Sequence, residues 1–558
     1  MTQWKKVKIG DVCKIVKGTT GIASAEPGEY PLVVTAEERK TCSTYQFDCE
    51  AVCIPLVSSS GHGKKSLNNV HYQSGKFALG TILCAVIPNN SDELDARFLH
   101  QYLQFYKDIV LVPLMKGAAN VSLSMKDIAT VEFPMPPIER QKELSNLFVL
   151  LQEKQKELSA EFEKQSEYAK LLRQNILQDA IEGKLTADLP CRQAGWRKSH
   201  FKNLSGKIVP KTSDKYFAYV LECDDGSLYK GFSQNLFERI NRHLEGHGAE
   251  WTQKHRPVAL IHFEEFKTEK EAVEREKYFK SGSGREFVNR IRNENKLNYD
   301  AEALFEQIQK ERNAEKKQKK LAPITDEDLP AGKAGKPFDI PEGWKWVRLD
   351  DICCKIVDCP HSTPIKSESI TNYPCIRTSE IKNGEIFWPS MQYINFDEYE
   401  KRTVRLKPQE NDIVYAREGS FGGAVLLPKG YNFALGQRTM LMRVAEKFVC
   451  SRYVLHLIIS PFLYKQAISK NRGATVGHVN VNDIRNFVAP FPSLAEQKEI
   501  VNKVEHLLAK VTDLESQIAE RENMAKQLMQ SILKDAFGEE TPKRQNDALD
   551  VALDGAKN

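Results

Sequence analysis

A chain of 558 residues is too long for one hydrophobic core, so about 3–4 domains are expected. With 41% hydrophobic and 28% charged residues the composition is that of a soluble globular protein, and no apolar run reaches the ~18 residues that a membrane span requires. A net charge of +5 permits an anionic partner without demanding one. The twelve cysteines include no CxxC pair and read as the reduced thiols of a cytoplasmic protein. Cys353, Cys354, Cys359 and His361 crowd together, but zinc would want two well-spaced pairs, so no metal is expected there. Nothing behind Met1–Lys6 reads as the apolar core of a signal peptide.

The chain opens on Trp4-Lys-Lys-Val-Lys-Ile-Gly-Asp11-Val-Cys13-Lys-Ile-Val16, and the same element returns at Trp344-Lys-Trp-Val-Arg-Leu-Asp-Asp351-Ile-Cys353-Cys-Lys-Ile-Val357. Short β-like runs of unequal length follow in each half. From Phe77 the two halves match without a gap at a constant offset of 356. Phe77-Ala-Leu-Gly80 answers to Phe433-Ala-Leu-Gly436, Gly117-Ala118 to Gly473-Ala474, Asp127-Ile128 to Asp483-Ile484, and Gln141-Lys-Glu143 to Gln497-Lys-Glu499. One offset held this long is an internal duplication.

Each unit then ends in a long helix, entered through a stiff Pro-rich segment such as Phe133-Pro-Met-Pro-Pro137. Leu144, Phe148, Leu151, Leu158, Phe162, Ala169, Leu172 and Ile176 fall on a heptad seam in the first helix, with Gln155 and Gln165 interrupting it. Ile500, Val504, Leu507, Val511, Leu514, Ile518, Ala525, Leu528 and Ile532 fill the same slots in the second, with Arg521 as the one polar slot. A lone helix cannot bury such a stripe, so the two are predicted to cover each other. A duplicated domain on a fixed frame suggests a two-fold target. Ser58-Ser-Ser-Gly61-His-Gly-Lys64-Lys65 and Tyr415-Ala-Arg417-Glu-Gly419-Ser-Phe-Gly-Gly423 are Gly-rich loops carrying cations, placed alike in both halves. Lys64, Lys65, Arg377, Arg417 and His478 are the candidates for contact with a phosphate-bearing partner such as a nucleic acid, because glycine admits backbone close to phosphate and cations meet its charge.

Between the halves lies an inserted segment. After a polar linker, Tyr216-Phe-Ala-Tyr219-Val-Leu-Glu-Cys reads as a strand, Asp224-Asp-Gly226 as a hairpin turn and Ser227-Leu-Tyr229-Lys-Gly231-Phe as the returning strand. A helix over 235–244 sets Arg239 and His243 four apart on one face. A strand at 260–264, a helix at 268–279 with Glu276 near its end, a turn at Ser281-Gly-Ser-Gly284, and a Lys/Glu-rich helix over 301–321 follow, before a Pro/Gly linker.

Pro136-Pro-Ile-Glu-Arg-Gln141, Pro492-Ser-Leu-Ala-Glu-Gln497, Ile176-Leu-Gln-Asp-Ala-Ile-Glu-Gly-Lys-Leu185 and Ile340-Pro-Glu-Gly-Trp344-Lys-Trp-Val-Arg-Leu349 together resemble the specificity subunit of type I restriction-modification systems. The resemblance implies an α/β (α+β) chain: target-recognition domain 1 over 1–137, its helix over 138–186, domain 2 over 344–493 and its helix over 494–538, with a flexible tail at 539–558. It implies that the helices pair as an antiparallel coiled coil. It further implies double-stranded DNA read as a split sequence, with methyltransferase subunits and restriction/translocase subunits as partners. No membrane partner and no cofactor for the specificity function are implied.

Phe217-Ala-Tyr219, Tyr229-Lys-Gly231, Arg239-x-x-x-His243 and Glu276 resemble a GIY-YIG nuclease, here a small α/β domain over 215–292 between a linker (187–214) and a helix with linker (293–343). That resemblance implies a tyrosine, Tyr219 or Tyr229, at or near the general base, and Arg239 on the phosphate. It implies that His243 positions water or a tyrosine, and that Glu276 holds one divalent metal, Mg²⁺. Ala218, Lys230 and Phe217 depart from the motif at strand positions. Two other readings stay open: a stand-alone site-directed endonuclease, and an inert DNA-binding scaffold. No Gly-x-x-x-x-Gly-Lys-Ser/Thr loop is present, so nucleotide-driven steps would belong to partners.

Overall fold

A computed structural model describes residues 4–60, 63–118, 120–192, 200–315, 324–325, 328–330, 337–419, 422–470 and 478–537. The expected tail, the 316–321 end of the Lys/Glu-rich helix and the Gly473-Ala474 match lie outside the described residues. The chain forms two compact units, residues 1–167 with 515–558 and residues 168–514.

The first unit carries the first repeat. Lys6–Lys8 pairs antiparallel with Glu132–Pro134, closing the repeat on itself. A four-stranded sheet runs in the order Cys13–Lys17, Leu83–Pro88, Ala51–Pro55, His71–Gln73. A second sheet contains Tyr30–Val33 parallel to Lys76–Leu79. The helix Ala96–Val110 shares a core with the first sheet through Phe98, Leu99, Tyr102 and Leu103. Phe537, at the end of the second long helix, sets its ring among Phe98, Tyr102, Phe105 and Tyr106. Leu144 and Phe148 of the first long helix join the same core.

The second unit repeats the plan. Lys345–Arg348 pairs with Val488–Phe491. A sheet in the order Cys353–Asp358, Thr439–Val444, Ile413–Ala416, Ala424–Leu426 reproduces the first unit's order, and Pro374–Ile376 is again parallel to Ala434–Leu435. The duplication read from sequence is therefore a duplication of topology. The glycine ending Phe-Ala-Leu-Gly has a packing reason in this half. Gly436 N–H donates to the Ile376 carbonyl at 2.7 Å, and a Cβ there would lie 2.4 Å from Arg377 Cγ.

The repeated glutamine also has a physical explanation. Gln141 is fully buried; its carbonyl accepts from Asp95 N–H at 2.8 Å and its amide donates to the carbonyls of Pro136 and Glu93. Gln497 accepts from Cys450 N–H at 2.9 Å and donates to Pro492 O at 3.0 Å. Asp95 and Cys450 are the N-caps of the helices beginning at Ala96 and Ser451. In each repeat one side chain ties a helix of the globular domain to the proline that launches the long helix, satisfying groups that would otherwise be orphaned.

The long helices span Ile138–Ile181 and Leu494–Ala536. Within the second unit they run antiparallel, since Arg173 bonds Thr512 while Lys503 reaches the Leu185 carbonyl beyond the first helix's end. Within the first unit Leu158 and Phe162 line one small cavity with Ala525 and Met529. Burial along the predicted stripe is uneven. Ile500, Val504 and Val511 are at most 1% exposed, yet Leu528 is 62% exposed and Leu514 46%. The stripe is closed where the helices meet the globular repeats; elsewhere a single partner helix covers only part of it.

The insert lies in the second unit. Its sheet runs Lys202–Asn203, Pro257–Phe266, Tyr216–Cys223, Leu228–Ser233. Strand alternation sends Phe217, Tyr219 and Leu221 to the face covered by the helix Leu236–Leu244, and Ala218 and Val220 to the opposite face, with Phe279 and Val288. Two expectations change here. The segment 187–214, expected as linker, contributes the edge strand Lys202–Asn203 and the buried Phe201, Leu204 and Val209. The expected turn at Ser281–Gly284 is instead a helix start: Ser281 caps Gly282–Tyr299 by accepting from Gly284 N–H. Gly284 allows this tight junction, since a Cβ there would lie 1.7 Å from the Tyr278 carbonyl oxygen.

Candidate functional site

The insert brings Tyr219, Tyr229, Arg239 and His243 together. Tyr219 and Tyr229 come from adjacent antiparallel strands, with Tyr219 registered opposite Gly231. Gly231 is required by the close approach, because a Cβ there would lie 2.6 Å from the Tyr219 hydroxyl and 3.0 Å from a Tyr229 ring carbon. Asn235 caps the next helix through Glu238 N–H, and that helix points Arg239 and His243 at the tyrosines.

His243 Nε2 lies 2.9 Å from the Tyr219 hydroxyl, and its Nδ1 lies 2.7 Å from Thr252 Oγ1. The Thr252 hydroxyl spends its one proton on the Ala249 carbonyl at 2.9 Å. It must therefore accept from Nδ1–H, which leaves Nε2 bare and makes the Tyr219 hydroxyl the donor to it. Burial, with Arg239 and Arg242 adding, lowers the His243 pKa to about 4, and burial raises the Tyr219 pKa. The pair is thus a neutral phenol donating to a neutral imidazole at pH 7. Arg239 Nε approaches the Tyr219 oxygen at 3.4 Å and also interacts with Tyr229. Tyr219 is fully buried, while Tyr229 and Arg239 are partly exposed, so the cluster has a buried end and an open end. Thr252, which sets the proton arrangement, has no signal in the sequence motif.

Glu276 stands on the helix Glu269–Lys280, which packs on the opposite face of the sheet, and its carboxylate pairs with Lys280 one turn on. Among the described residues no group of three or more His, Cys, Asp or Glu could cage a metal. A single carboxylate suits Mg²⁺, which keeps most of its waters and completes its shell with substrate phosphate oxygens.

The two Gly-rich loops are placed alike. Val57 bridges to Ser122 in the first repeat and Glu418 to His478 in the second, and Ser122 and His478 stand at the same 356 offset. Lys64 and Lys65 are exposed on the first loop, whose residues 61–62 lie outside the described set, as do 420–421 of the second. Arg417 departs from expectation. It is 4% exposed and pairs with Asp358 at 2.9 Å, so its charge anchors the loop base instead of facing outward. Arg377 is likewise engaged, chelating the fully buried Glu380 through Nε and Nη2. His478 shares the Glu418 carboxylate with the more exposed Arg438, a cation the sequence reading passed over.

Residues 1–164 and 341–521 match the Type I restriction modification DNA specificity domain, and residues 215–291 match the GIY-YIG catalytic domain. The first match spans more than half of the chain, which therefore belongs to the type I restriction-modification specificity family. Within that family this chain carries a GIY-YIG domain between its two repeats. The inserted region is 46% identical over 68 residues to a UPF0213 protein of Bacillus velezensis, covering 12% of this chain and 69% of that protein. It is 43% identical over 70 residues to a UPF0213 protein of Staphylococcus saprophyticus, covering 12% of this chain and 85% of that protein. The HsdS subunit from Thermoanaerobacter tengcongensis is similar over 96% of this chain and 97% of its own, at 14% identity and a TM-score of 0.42. No helix among the described residues is long and apolar enough to cross a membrane.

Proposed function

We propose that the chain is the DNA sequence-specificity subunit of a type I restriction-modification complex, and that its insert is a metal-dependent DNA phosphodiesterase. The two repeats would each read half of a split site in double-stranded DNA. Methyltransferase and restriction/translocase subunits would dock on the frame that the long helices provide. The observation that carries the nuclease reading is the Tyr219–His243–Thr252 chain beside Arg239. The arrangement sets a phenol, an imidazole nitrogen and a guanidinium side by side, the groups that proton transfer and phosphate charge stabilisation call for.

In this reading Tyr229, at the open end, takes the proton of the attacking water and passes its own to Tyr219. Tyr219 hands its proton to His243 Nε2, so the imidazole ends protonated and both phenols are restored. Burial and the neighbouring arginines keep His243 neutral while the site is empty; the negative charge of a bound phosphate nearby would raise its affinity for the proton. Arg239 steadies the phosphate. Glu276 would hold Mg²⁺, which supplies charge neutralisation on the phosphate oxygens when bound; its bond to Lys280 must open for this. Lys64 and Lys65 on the first loop, and Arg438 beside the second, would offer cations to phosphate.

The test incubates the full chain with DNA and Mg²⁺ beside Glu276→Ala. Metal-dependent cleavage lost in Glu276→Ala, with DNA binding retained, is the expected result. Binding without cleavage under any divalent metal would leave a specificity scaffold with an inert insert. Cleavage at one site by the purified chain without partner subunits would favour a stand-alone endonuclease.

A further inference from the structure

The segments flanking the insert on both sides are fastened to the second repeat, with residues 193–199, between Arg192 and the insert's edge strand, outside the described residues. On the way in, the segment after the first long helix is held by one buried carboxylate. Glu496 accepts from the Thr186 hydroxyl at 2.6 Å, pairs with Arg192 at 2.5 Å, and accepts from Trp344 Nε1 at 2.7 Å. The Arg192 guanidinium also lies 4.9 Å from the Trp344 ring centroid, and Lys503 bonds both the Leu185 carbonyl and Asp188. Trp344 begins the second repeat and Glu496 begins its long helix.

On the way out, the helix Ala301–Glu315 is not a spacer but part of the second repeat's core. Ala301, Leu304 and Ile308 are at most 1% exposed and belong to one cluster with Val347, Leu349 and Phe491. Gln309 donates to the Asp351 carbonyl, and Arg312 pairs with Asp350, which also holds Arg485.

The insert's last helix, Gly282–Tyr299, joins this anchored helix through a single residue, Asp300. That elbow is clamped from both sides. One Asp300 oxygen accepts from Glu302 N–H at 3.1 Å and the other from Lys202 Nζ at 2.8 Å, and Lys202 lies on the insert's own edge strand. Tyr299 closes over Gly206, whose φ of +71° and lack of a Cβ admit the ring.

We propose that the insert is mounted as a fixed outrigger of the second repeat, so that the half-site read there sets the position of the insert's cut. The inference rests on the nuclease reading above. Asp300, Leu304 and Ile308 act as positioning residues. A domain joined by a pliable linker would sample many phosphates within its reach. This one presents the open end of its tyrosine cluster at one offset.

The full chain carries spin labels on non-natural residues replacing the exposed Lys254 of the insert and Lys429 of the second repeat, and pulsed electron resonance reads the distance distribution. One narrow distribution is expected, broadening in Asp300→Gly and in Leu304→Asp/Ile308→Asp. A broad distribution in the parent chain, or an Asp300→Gly profile as narrow as the parent's, overturns the mount. Asp300→Gly leaves the second repeat's core untouched, so misfolding of the double variant cannot decide the matter. In parallel, cut positions on DNA with Mg²⁺ should form one dominant offset that spreads in Asp300→Gly. Absence of cleavage with narrow distances overturns the nuclease reading and leaves the mount standing; cleavage that is scattered in the parent overturns the mount.

Discussion

Thr252→Val tests the proton arrangement at its least conspicuous member. Valine keeps the shape of threonine but removes the oxygen that accepts His243 Nδ1–H at 2.7 Å. The imidazole then has two choices. It can keep Nδ1–H and leave a buried donor unpaired, at a cost of about 1–3 kcal/mol. Or it can move the proton to Nε2, where it meets the Tyr219 hydroxyl as donor against donor and takes away the phenol's acceptor. The first choice destabilises the insert; the second cuts the relay at its buried end, where a correctly protonated partner contributes ~10²–10⁴-fold in rate. Single-turnover cleavage, nitrogen NMR of the His243 tautomer and hydrogen exchange on the insert separate the two outcomes. Thr252→Ser keeps the oxygen and should restore whatever Thr252→Val loses. A Thr252→Val chain that cleaves at the parent rate, with exchange in the insert unchanged, would refute the role given to this hydroxyl and with it the assigned direction of the Tyr219–His243 bond.

Other outcomes follow from the same contacts. Gly231→Ala forces a methyl to within 2.6 Å of the Tyr219 oxygen; overpacking of this kind costs about 1–3 kcal/mol, and hydrogen exchange over Leu228–Ser233 should accelerate. Gln141→Leu and Gln497→Leu each strand a part-buried N-cap amide and a buried proline carbonyl, and exchange should quicken at that repeat's helix entry and not at the other's. Acid should loosen the chain in three places. His71, His243 and His456 have folded pKa values lowered to about 4, chiefly by burial. The unfolded chain, near 6.5, binds protons that the folded chain refuses, so stability is full above about pH 6.5 and falls as pH drops toward 4, by roughly 3 kcal/mol per histidine at most. Local exchange at pH 7 and pH 5 measures this, and His456→Gln, at a side chain whose two ring nitrogens have no hydrogen-bond partner among the described residues, should flatten the dependence around Ser451–Ile458.

What the sequence made legible were features repeated in it or carried by a strict period. The offset of 356 exposed the duplication, and the run Tyr216-Phe-Ala-Tyr219-Val-Leu-Glu-Cys reads as the strand that the structure holds over Tyr216–Cys223. The less legible features depend on which distant partner a side chain finds. A cation between glycines, as at Arg417, reads as exposed; only the fold brings Asp358 beneath it. Arg377 looked free for the same reason, since Glu380 three residues on could as well have faced water. The two-residue strand Lys202–Asn203 is too short for a period, and its place is set by the neighbouring strand Pro257–Phe266. Thr252 sits in a five-residue helix whose sequence carries no motif.

The two glutamines show how a frame can stay constant while its readers change. Gln141 and Gln497 bond only backbone groups, and so do not depend on which side chains the recognition domains carry. The sheet order is likewise kept across both repeats, while the loops bridged to Ser122 and His478 differ in sequence and in charge pairing. Backbone-only anchoring therefore lets each loop vary without disturbing the launch of its long helix. The insert follows the opposite rule. Its mount uses side chains specific to the second repeat, Glu496 and Asp350, whose positions in the first repeat hold Arg140 and Gly10. With arginine where Glu496 stands, the first repeat has no carboxylate at that position to hold Thr186 and Arg192, so a recognition domain could be exchanged in either half, but the insert's footing is built into the second.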